Sequence, residues 1–213
     1  MFTPCARSPL PWDRFTRRFL RNSPLWLGGS NRAMDRPKIK CVFFDRDGIV
    51  NQHPGPGYVE RWEDFHLLPE FVDILRFVRG KGYEAVIVSN QRGVALGKMT
   101  AETVEDLHRR LRAQLREHHG LDLLDIFYCP HDRDQCECRK PKPGMLLKAA
   151  ERHNLDLGQS WMIGDSVKDV EAGKAAGCRT VLVNAATTSG QADHQVADMA
   201  ALRSSIAKIL GGR

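Results

Sequence analysis

The stretch Cys41–Gln52, CVFFDRDGIVNQ, runs from apolar residues directly into two carboxylates. Its first residues are of the kind that fill a central parallel strand. Asp45 and Asp47 then follow, with Arg46 between them and Gly48 after them. Because open α/β sheets bind their ligands at the carboxyl ends of the strands, this position predicts that the two acids bind or react with a ligand.

Further polar side chains follow other candidate strands, where they would meet at the same edge of a parallel sheet. They are Ser89 and Asn90 after the second strand, Asp165 and then Asp169 after the fourth, and Arg139 and Lys140 after a cysteine-rich loop. Carboxylates are hard ligands for Mg²⁺, and cations and amides hold transferring phosphate oxygens. Each group alone is typical of a turn or a helix cap. Their joint order predicts Mg²⁺-assisted phosphoryl transfer.

Asp45 and Asp47 can divide the chemistry of such a reaction. A carboxylate can act as the nucleophile and form an aspartyl-phosphate that water later hydrolyses. In this interpretation Asp45 attacks, whereas Asp47 protonates the leaving oxygen and then deprotonates the water. Gly48 would let the backbone turn sharply beside the phosphate.

A second chemical cluster, CPHDRDQCEC, contains Cys129, His131, Cys136 and Cys138. The N-terminus lacks the continuous apolar segment of a secretory signal. We therefore interpret the cluster as a metal site rather than as disulfides. Three thiolates and an imidazole complete a tetrahedral zinc site with no open position, which predicts a structural role. Reduced cysteines without a metal are the alternative. The default compartment is a reducing cytoplasm.

The elements that must position these residues alternate between strand and helix from residue 38 onward. The pattern predicts five strands and five helices, with Thr100 and Gly120 capping the longest helix and Pro143 in the first turn of another. Such alternation predicts an α/β fold, a Rossmann-like parallel sheet with helices on both faces. No insertion is long enough for a large cap domain, and residues 129–138 form a small zinc-binding loop.

The basic charge of the chain is concentrated at its N-terminus. Residues 1–33 hold six arginines and one acid, a net charge of +5, whereas the remaining 180 residues carry +1. We therefore expect no nucleic-acid partner for the body, no membrane association and a monomer. Residues 1–37 are interpreted as an N-terminal extension, either disordered or upstream of the true start, with a targeting peptide as the alternative. Residues 38–213 form the folded domain.

Four motifs together carry a resemblance to a known family. DRDGIVN, VSNQRGVALGKMT, CRKPKPGM and IGDSVKDVEAGKAAG resemble the haloacid dehalogenase (HAD) superfamily of phosphatases. More narrowly, they resemble its cap-less, zinc-containing group, which includes heptose-bisphosphate and histidinol-phosphate phosphatases. The resemblance extends from about Lys38 to Ala200 and implies a HAD-like fold.

The resemblance also implies a role for each site residue. Asp45 would be the nucleophile, Asp47 the acid and base, and Lys140 the group that stabilises the phosphoryl group. Mg²⁺ would be held by Asp45, the carbonyl of Asp47 and Asp165. Substrate would be bound by Ser89, Asn90, Gln91, Arg92, Arg139 and Lys140. Zinc would be structural, and its loop should orient Arg139 and Lys140 toward the phosphate.

The segment NQRGVALGKMT favours the heptose type over the histidinol type. The implied reaction removes the 7-phosphate of D-glycero-D-manno-heptose 1,7-bisphosphate on the route to lipopolysaccharide sugars. Histidinol phosphate is the first alternative, and a nucleic-acid 3′-phosphatase that uses the basic leader is a second. A catalytically silent scaffold is a third. His108, His118 and His119 are expected to face solvent on or after the long helix.

Overall fold

A computed structural model describes residues 37–184, 186 and 191–211. In this part of the chain six strands alternate with five α-helices. They are β1 (Cys41–Phe44), α1 (Pro69–Gly80), β2 (Glu84–Asn90), α2 (Ala101–His119), β3 (Asp125–Cys129), α3 (Gly144–His153), β4 (Trp161–Gly164), α4 (Val167–Ala176), β5 (Arg179–Val183), β6 (His194–Val196) and α5 (Met199–Gly211). The predicted extension, residues 1–37, lies outside the described residues except for its last residue.

The described strands form one parallel sheet in the order β3-β2-β1-β4-β5-β6. Strands β2 and β3 lie on one side of β1, and β4, β5 and β6 lie on the other. The direction of winding therefore reverses between β1 and β4. Ligands bind at such a switch point in open α/β sheets, outside the carboxyl ends of the strands.

Helices cover both faces of this sheet, as predicted. Side chains of β1 alternate between two cores because successive residues of a strand point to opposite faces. Val42 and Phe44 pack with α1, α2 and α5, whereas Cys41 and Phe43 pack with α3 and α4. The central strands are buried on both sides, which fixes the positions of the residues that follow them.

The predicted helix ends are confirmed at the longest helix. The Thr100 hydroxyl accepts a hydrogen bond from the Thr103 amide at 3.2 Å, and Gly120 ends α2 in the left-handed conformation at φ +64°. Gly177 ends α4 in the same way, at φ +86°. Pro143 lies one residue earlier than predicted, at the N-cap of α3 rather than in its first turn.

Two further expectations differ from the structure. The sheet has a short sixth strand, β6, which the sequence did not predict, because two of its three residues, His194 and Gln195, are polar and exposed. The expectation that His108 faces solvent was wrong. It is buried with its ring 5.7 Å from that of Tyr128, because it shares the inner face of α2 with Val104, Leu107 and Leu111. His118 is exposed, as expected.

The longest connection in the described domain, residues 45–68, follows β1 and contains one short 3₁₀-helix, Trp62–Asp64. No helix in the described residues is both long enough and apolar enough to cross a membrane.

Candidate active site

Asp45 and Asp165 follow the two strands that meet at the switch point. Phe44 pairs with Ile163, and the Asp45 amide donates to the Ile163 carbonyl at 2.9 Å, which continues the ladder by one residue. The end of β4 therefore delivers Asp165 beside Asp45. One carboxylate oxygen each of Asp45, Asp165 and Asp169 lies within 4.8 Å of the others.

Gly48 allows the chain to pass close to this acidic group. Its φ is +89°, and a Cβ atom built there would lie 2.2 Å from Oδ2 of Asp165. Side chains other than glycine rarely adopt this backbone conformation. The sharp turn expected after Asp45 and Asp47 is therefore present, and it leaves room for the carboxylate of Asp165.

Lys140 lies at the centre of the acidic group. Its Nζ is 2.8 Å from Oδ1 of Asp45 and 2.6 Å from Oδ1 of Asp169, and it donates to the Val88 carbonyl at 2.8 Å. The side chain is only 2% exposed. The other oxygen of Asp169 accepts from the Ser166 amide and hydroxyl, at 3.1 and 2.7 Å. Both oxygens of Asp169 are thus engaged, and its role is to hold Lys140 and cap α4.

The site has more negative than positive charge. Burial, partly offset by Lys140 and reinforced by Asp169, raises the pKa of Asp45 to about 7. Burial and Asp169 also raise the pKa of Asp165 to about 6. Burial would lower the pKa of Lys140, but Asp169 and Asp45 outweigh it and raise that pKa. Three carboxylates around one ammonium leave an excess of negative charge, and the carboxylates of Asp45 and Asp165 suit a divalent cation with a preference for oxygen.

The carboxylate of Asp47 accepts hydrogen bonds from three neighbouring side chains. Arg46 donates to both of its oxygens, Asn51 to Oδ1 at 3.0 Å and Gln91 to Oδ2 at 3.3 Å. The side chain of Asp47 remains 22% exposed. It therefore combines a fixed orientation with access from the cavity.

A cavity of about 250 Å³ opens above these residues. Its lining is polar and comes from the ends of β1, β2 and β4, from the loop after β1 and from the region around Lys140. The lining residues include Asp45, Asp47, His53, Tyr58, Ser89, Asn90, Arg139, Lys140, Asp165, Ser166, Lys168 and Asp169. A second cavity of about 340 Å³ shares Arg139, Lys140 and Lys168 with it.

The cysteine cluster forms a compact set of soft ligands. Sγ of Cys138 lies 3.3 Å from Sγ of Cys136 and 3.4 Å from Nδ1 of His131, and Sγ of Cys129 lies 3.5 Å from Sγ of Cys136. Tetrahedral zinc with Zn–S bonds of about 2.3 Å places its sulfurs roughly 3.8 Å apart. The four side chains therefore fit a closed zinc site with small movements.

Arg139 and Lys140, which follow this cluster, are held by different parts of the protein. The Asn90 side chain accepts from the Lys140 amide at 3.1 Å and donates to the Lys140 carbonyl at 3.0 Å. Lys140 is thus tied to the end of β2 by its main chain as well as by its side chain. Arg139 is tied to the cysteine loop, through the His131 carbonyl at 3.4 Å.

Comparison with known proteins agrees with this geometry. A family model described as HAD-hydrolase-like matches residues 137–207. A D-glycero-alpha-D-manno-heptose-1,7-bisphosphate 7-phosphatase of Photorhabdus laumondii is 38% identical over 152 residues, 68% of this chain and 81% of that relative. A D-glycero-beta-D-manno-heptose-1,7-bisphosphate 7-phosphatase of Pseudomonas putida is 39% identical over 146 residues, 68% of this chain and 82% of the relative. The chain belongs to the heptose-bisphosphate phosphatase family of HAD-like enzymes.

Solved structures agree with membership of this phosphatase family. The D,D-heptose 1,7-bisphosphate phosphatase of B. bronchiseptica, in complex with magnesium and phosphate, has a TM-score of 0.72 and 29% identity. The match covers 80% of this chain and 99% of that one. The resemblance to HAD-like phosphatases and the predicted fold class are therefore confirmed, and the chain is a phosphoric monoester hydrolase.

The structure brings most of the predicted site residues of this HAD-like phosphatase to one cavity. Asp45, Asp47, Ser89, Asn90, Arg139, Lys140 and Asp165 line it. Gln91 is buried beneath, where it contacts Asp47 and donates to the Ser89 hydroxyl at 2.6 Å. Arg92 forms an ion pair with Asp132 and is not among the lining residues described. Substrate binding by Gln91 and Arg92 stays a prediction.

Sequence reasoning placed Asp169 at this edge of the sheet without a specific role and named neither Ser166 nor Lys168, although all three line the cavity. Asp169 holds Lys140, and Ser166 and Lys168 lie with it at the start of α4. The spacing of Asp165 and Asp169 gave a usable signal, because the third residue of a helix after a serine N-cap faces back toward the cap. No sequence pattern indicated that Lys168 faces the same cavity.

Proposed function

We propose that this chain is a Mg²⁺-dependent phosphomonoesterase that removes the 7-phosphate from D-glycero-D-manno-heptose 1,7-bisphosphate. The observation that carries the proposal is the buried ammonium of Lys140 between Asp45 and Asp169, with Asp165 alongside, at the switch point of the sheet. The names of the relatives support the choice of substrate.

Asp45 is the proposed nucleophile. One oxygen of its carboxylate attacks phosphorus, the bond from phosphorus to the sugar oxygen breaks, and an aspartyl-phosphate results. Lys140, 2.8 Å from Oδ1 of Asp45, orients that carboxylate and offers its charge to the phosphoryl oxygens. A Mg²⁺ ion held by Asp45, the Asp47 carbonyl and Asp165 would neutralise charge on the phosphate.

Asp47 is the proposed acid and base. It gives a proton to the sugar oxygen as the bond to phosphorus breaks, and it later takes a proton from the water that attacks the aspartyl-phosphate. That attack releases inorganic phosphate and restores Asp45 as a carboxylate. Ser89 and Asn90 line the cavity beside these two acids, and we assign them to the phosphate.

The zinc ligands proposed are Cys129, His131, Cys136 and Cys138. Zinc would fold the loop rather than take part in the reaction, because four protein ligands leave no open position. The hydrogen bond from Arg139 to the His131 carbonyl supports a role for the folded loop in directing that arginine to the cavity.

The second cavity favours a substrate with two phosphates. Among its described lining residues are five basic side chains, Arg133, Arg139, Lys140, Lys142 and Lys168, and one acid, Asp134. Because it adjoins the reaction cavity, a bisphosphate held at Asp45 can extend its other phosphate toward these cations. Histidinol phosphate has no second phosphate and would leave them without a ligand.

Phosphate release with Mg²⁺ tests the proposal. The panel contains both anomers of the heptose bisphosphate, histidinol phosphate, fructose 1,6-bisphosphate and a 3′-phosphorylated oligonucleotide. We expect kcat/KM for one heptose anomer to exceed that for each other compound by about 100-fold, equivalent to about 2.7 kcal/mol. Preference for histidinol phosphate or the oligonucleotide would overturn the substrate assignment, whereas release from no compound would overturn the enzyme assignment.

A further inference from the structure

Arg46, the residue between the two acids that follow β1, is wholly buried. Its exposure is 0%, and Nε and Nη2 lie 3.1 and 2.9 Å from Oδ1 of Asp47, with Nη2 also 3.0 Å from Oδ2. Among the described residues Asp47 is its one ion-pair partner, and Nη1 has no hydrogen-bond partner.

The burial of this guanidinium is hard to explain by stability alone. Moving a charge out of water costs several kcal/mol, and a single ion pair repays that cost only with excellent geometry. Here one nitrogen is left without a partner, and an apolar side chain of similar length would pack in the same place without that cost. The contacts of Arg46 point instead to the residue it holds.

Two amides complete the arrangement around Asp47. Asn51 Nδ2 donates to Oδ1, so that this oxygen accepts from three nitrogens in all. Oδ2 accepts one short contact from Arg46 and a longer one, 3.3 Å, from Gln91. A carboxylate has about four lone-pair sites, two on each oxygen. Oδ1 therefore has more donors than lone-pair sites, whereas one of the two contacts of Oδ2 is the long one from Gln91. Oδ2 is the oxygen that can take up a proton when this weak contact is released.

We propose that Arg46 is a positioning residue which, with Asn51 and Gln91, fixes the Asp47 carboxylate so that Oδ2 is its proton-transfer atom. This proposal rests on the proposed function. A proton on Oδ2 passes to the sugar oxygen as its bond to phosphorus breaks. Oδ2 then receives a proton from the water whose oxygen bonds to phosphorus as the bond to Asp45 breaks.

The dependence of the rate on the leaving group tests this role. A sugar alkoxide needs a proton in order to leave, whereas p-nitrophenolate does not. In Arg46→Met we expect kcat/KM for the heptose bisphosphate to fall about 100-fold, the scale of a misplaced catalytic group. For p-nitrophenyl phosphate, kcat/KM should change by less than about 5-fold. The ratio kcat/KM reports only the steps up to departure of the leaving group, and p-nitrophenolate leaves without a proton.

A double-mutant cycle separates positioning from a general structural effect. In the Asp47→Asn background, Arg46→Met should cause no further loss with the heptose bisphosphate, since residues that act as a unit are not additive. Arg61→Met is the matched control, because Arg61 also pairs with an acid, Asp64, but is exposed. Its ratio of the two kcat/KM values should equal that of the wild-type protein.

Several outcomes would overturn the proposal. They are an equal loss with both substrates, no loss with either, or a full further loss in the Asp47→Asn background. If Arg46→Met fails to fold, Arg46→Lys replaces it, since lysine keeps the charge but not the bidentate contact. If Asp47→Asn itself shows no leaving-group effect, the assignment of Asp47 as acid and base fails, and the role of Arg46 fails with it. Failure of the proposed function is distinguishable, because the wild-type protein would then release phosphate from none of the heptose substrates.

Discussion

The two candidate metal sites differ in what holds their ligands in place. Asp45 and Asp165 extend from neighbouring buried strands, and Lys140 is fastened to Asp45, Asp169 and the end of β2. Protein contacts alone thus assemble the acidic site.

The ligands of the cysteine cluster have much less support. Cys129 ends β3, whereas His131, Cys136 and Cys138 lie in the connection before α3, where no regular element holds them. Among the hydrogen bonds described here, Lys142 reaches the Cys136 carbonyl at 3.0 Å and Arg139 the His131 carbonyl. The sheet thus preorganises the acidic site, whereas the cysteine loop would depend on a bound ion to fix its shape.

The largest expected effect comes from Asp45→Asn. Loss of the nucleophile should lower kcat for the heptose bisphosphate by about 10⁴-fold or more, the range found when a nucleophile is removed. The free energy of unfolding without metal at pH 7 should be unchanged or higher, because one of three crowded carboxylates becomes neutral. Steady-state kinetics and urea denaturation measure the two quantities.

Glu171→Gln serves as the control for Asp45→Asn, since Glu171 is an exposed acid on α4. Its kcat should match the wild-type value. Unfolding of Asp45→Asn under conditions where the control is folded would show that the acidic site is needed for folding, and the contrast between the two sites would fail.

The second effect concerns the cysteine cluster. Cys136→Ser, or removal of zinc by a chelator, should lower the melting temperature and raise KM for the heptose bisphosphate by about 10- to 100-fold. That range corresponds to loss of one charge-assisted hydrogen bond of about 1.5–3 kcal/mol, from Arg139. kcat should change less, because Asn90 and Val88 hold Lys140 independently of the loop.

Cys178→Ala is the matched control, since Cys178 is a buried cysteine outside the cluster. Its KM should stay within twofold of the wild-type value. A selective loss of kcat in Cys136→Ser would mean that the loop, not the sheet, positions Lys140. Metal analysis of the purified protein shows whether zinc is present before each measurement.

The third effect is the pH dependence of stability without Mg²⁺. The pKa values of Asp45, about 7, and Asp165, about 6, are raised, so between pH 4 and 7 these two groups bind more protons in the folded protein than in the unfolded chain. Each group therefore lowers the free energy of unfolding as the pH rises, by up to about 1.4 kcal/mol per pH unit. Mg²⁺ should reduce the loss, because it binds the ionised carboxylates of the folded state.

The lowered pKa of buried His108 has the opposite effect below pH 6.5, so the test compares two proteins. Urea denaturation at pH 5 and 7 should show a smaller loss of stability with pH in Asp165→Asn than in the wild-type protein. Equal slopes would indicate that the acidic site is already balanced without a cation.

The sequence predicted those parts of the molecule that depend on local pattern. Asp45, Asp165 and the four residues of the cysteine cluster could be found because each lies at a fixed spacing beside a recognisable strand or cysteine. His108 could have been placed correctly too, since positions 104, 107, 108 and 111 follow the helical period of the core.

Other features depend on tertiary contacts that no local pattern records. The sequence marked Lys140 as a cation near phosphate, but its burial between Asp45 and Asp169 requires the chain to return to β1 after nearly one hundred residues. The second cavity could not be predicted for the same reason, because its basic side chains come from the cysteine loop and from α4. Strand β6 was missed because only one of its three residues, Val196, is apolar, so that its place in the sheet depends on pairing with β5 and on packing against the core.

The smallest effect is expected where charges pair without burial. Arg110 lies 2.9 Å from Asp106 on α2, with half of its side chain exposed. Arg110→Ala should change the free energy of unfolding by less than about 0.5 kcal/mol and leave kcat/KM unaltered, because exposed pairs gain little and are screened by salt. Lys140→Met, measured alongside by urea denaturation and kinetics, removes a buried pair and should alter both quantities. If Lys140→Met changed stability and kcat/KM as little as Arg110→Ala, the ion pairs of Lys140 would not be needed to hold the acidic site together without a metal. Burial of the carboxylates on the sheet would then be sufficient to hold them.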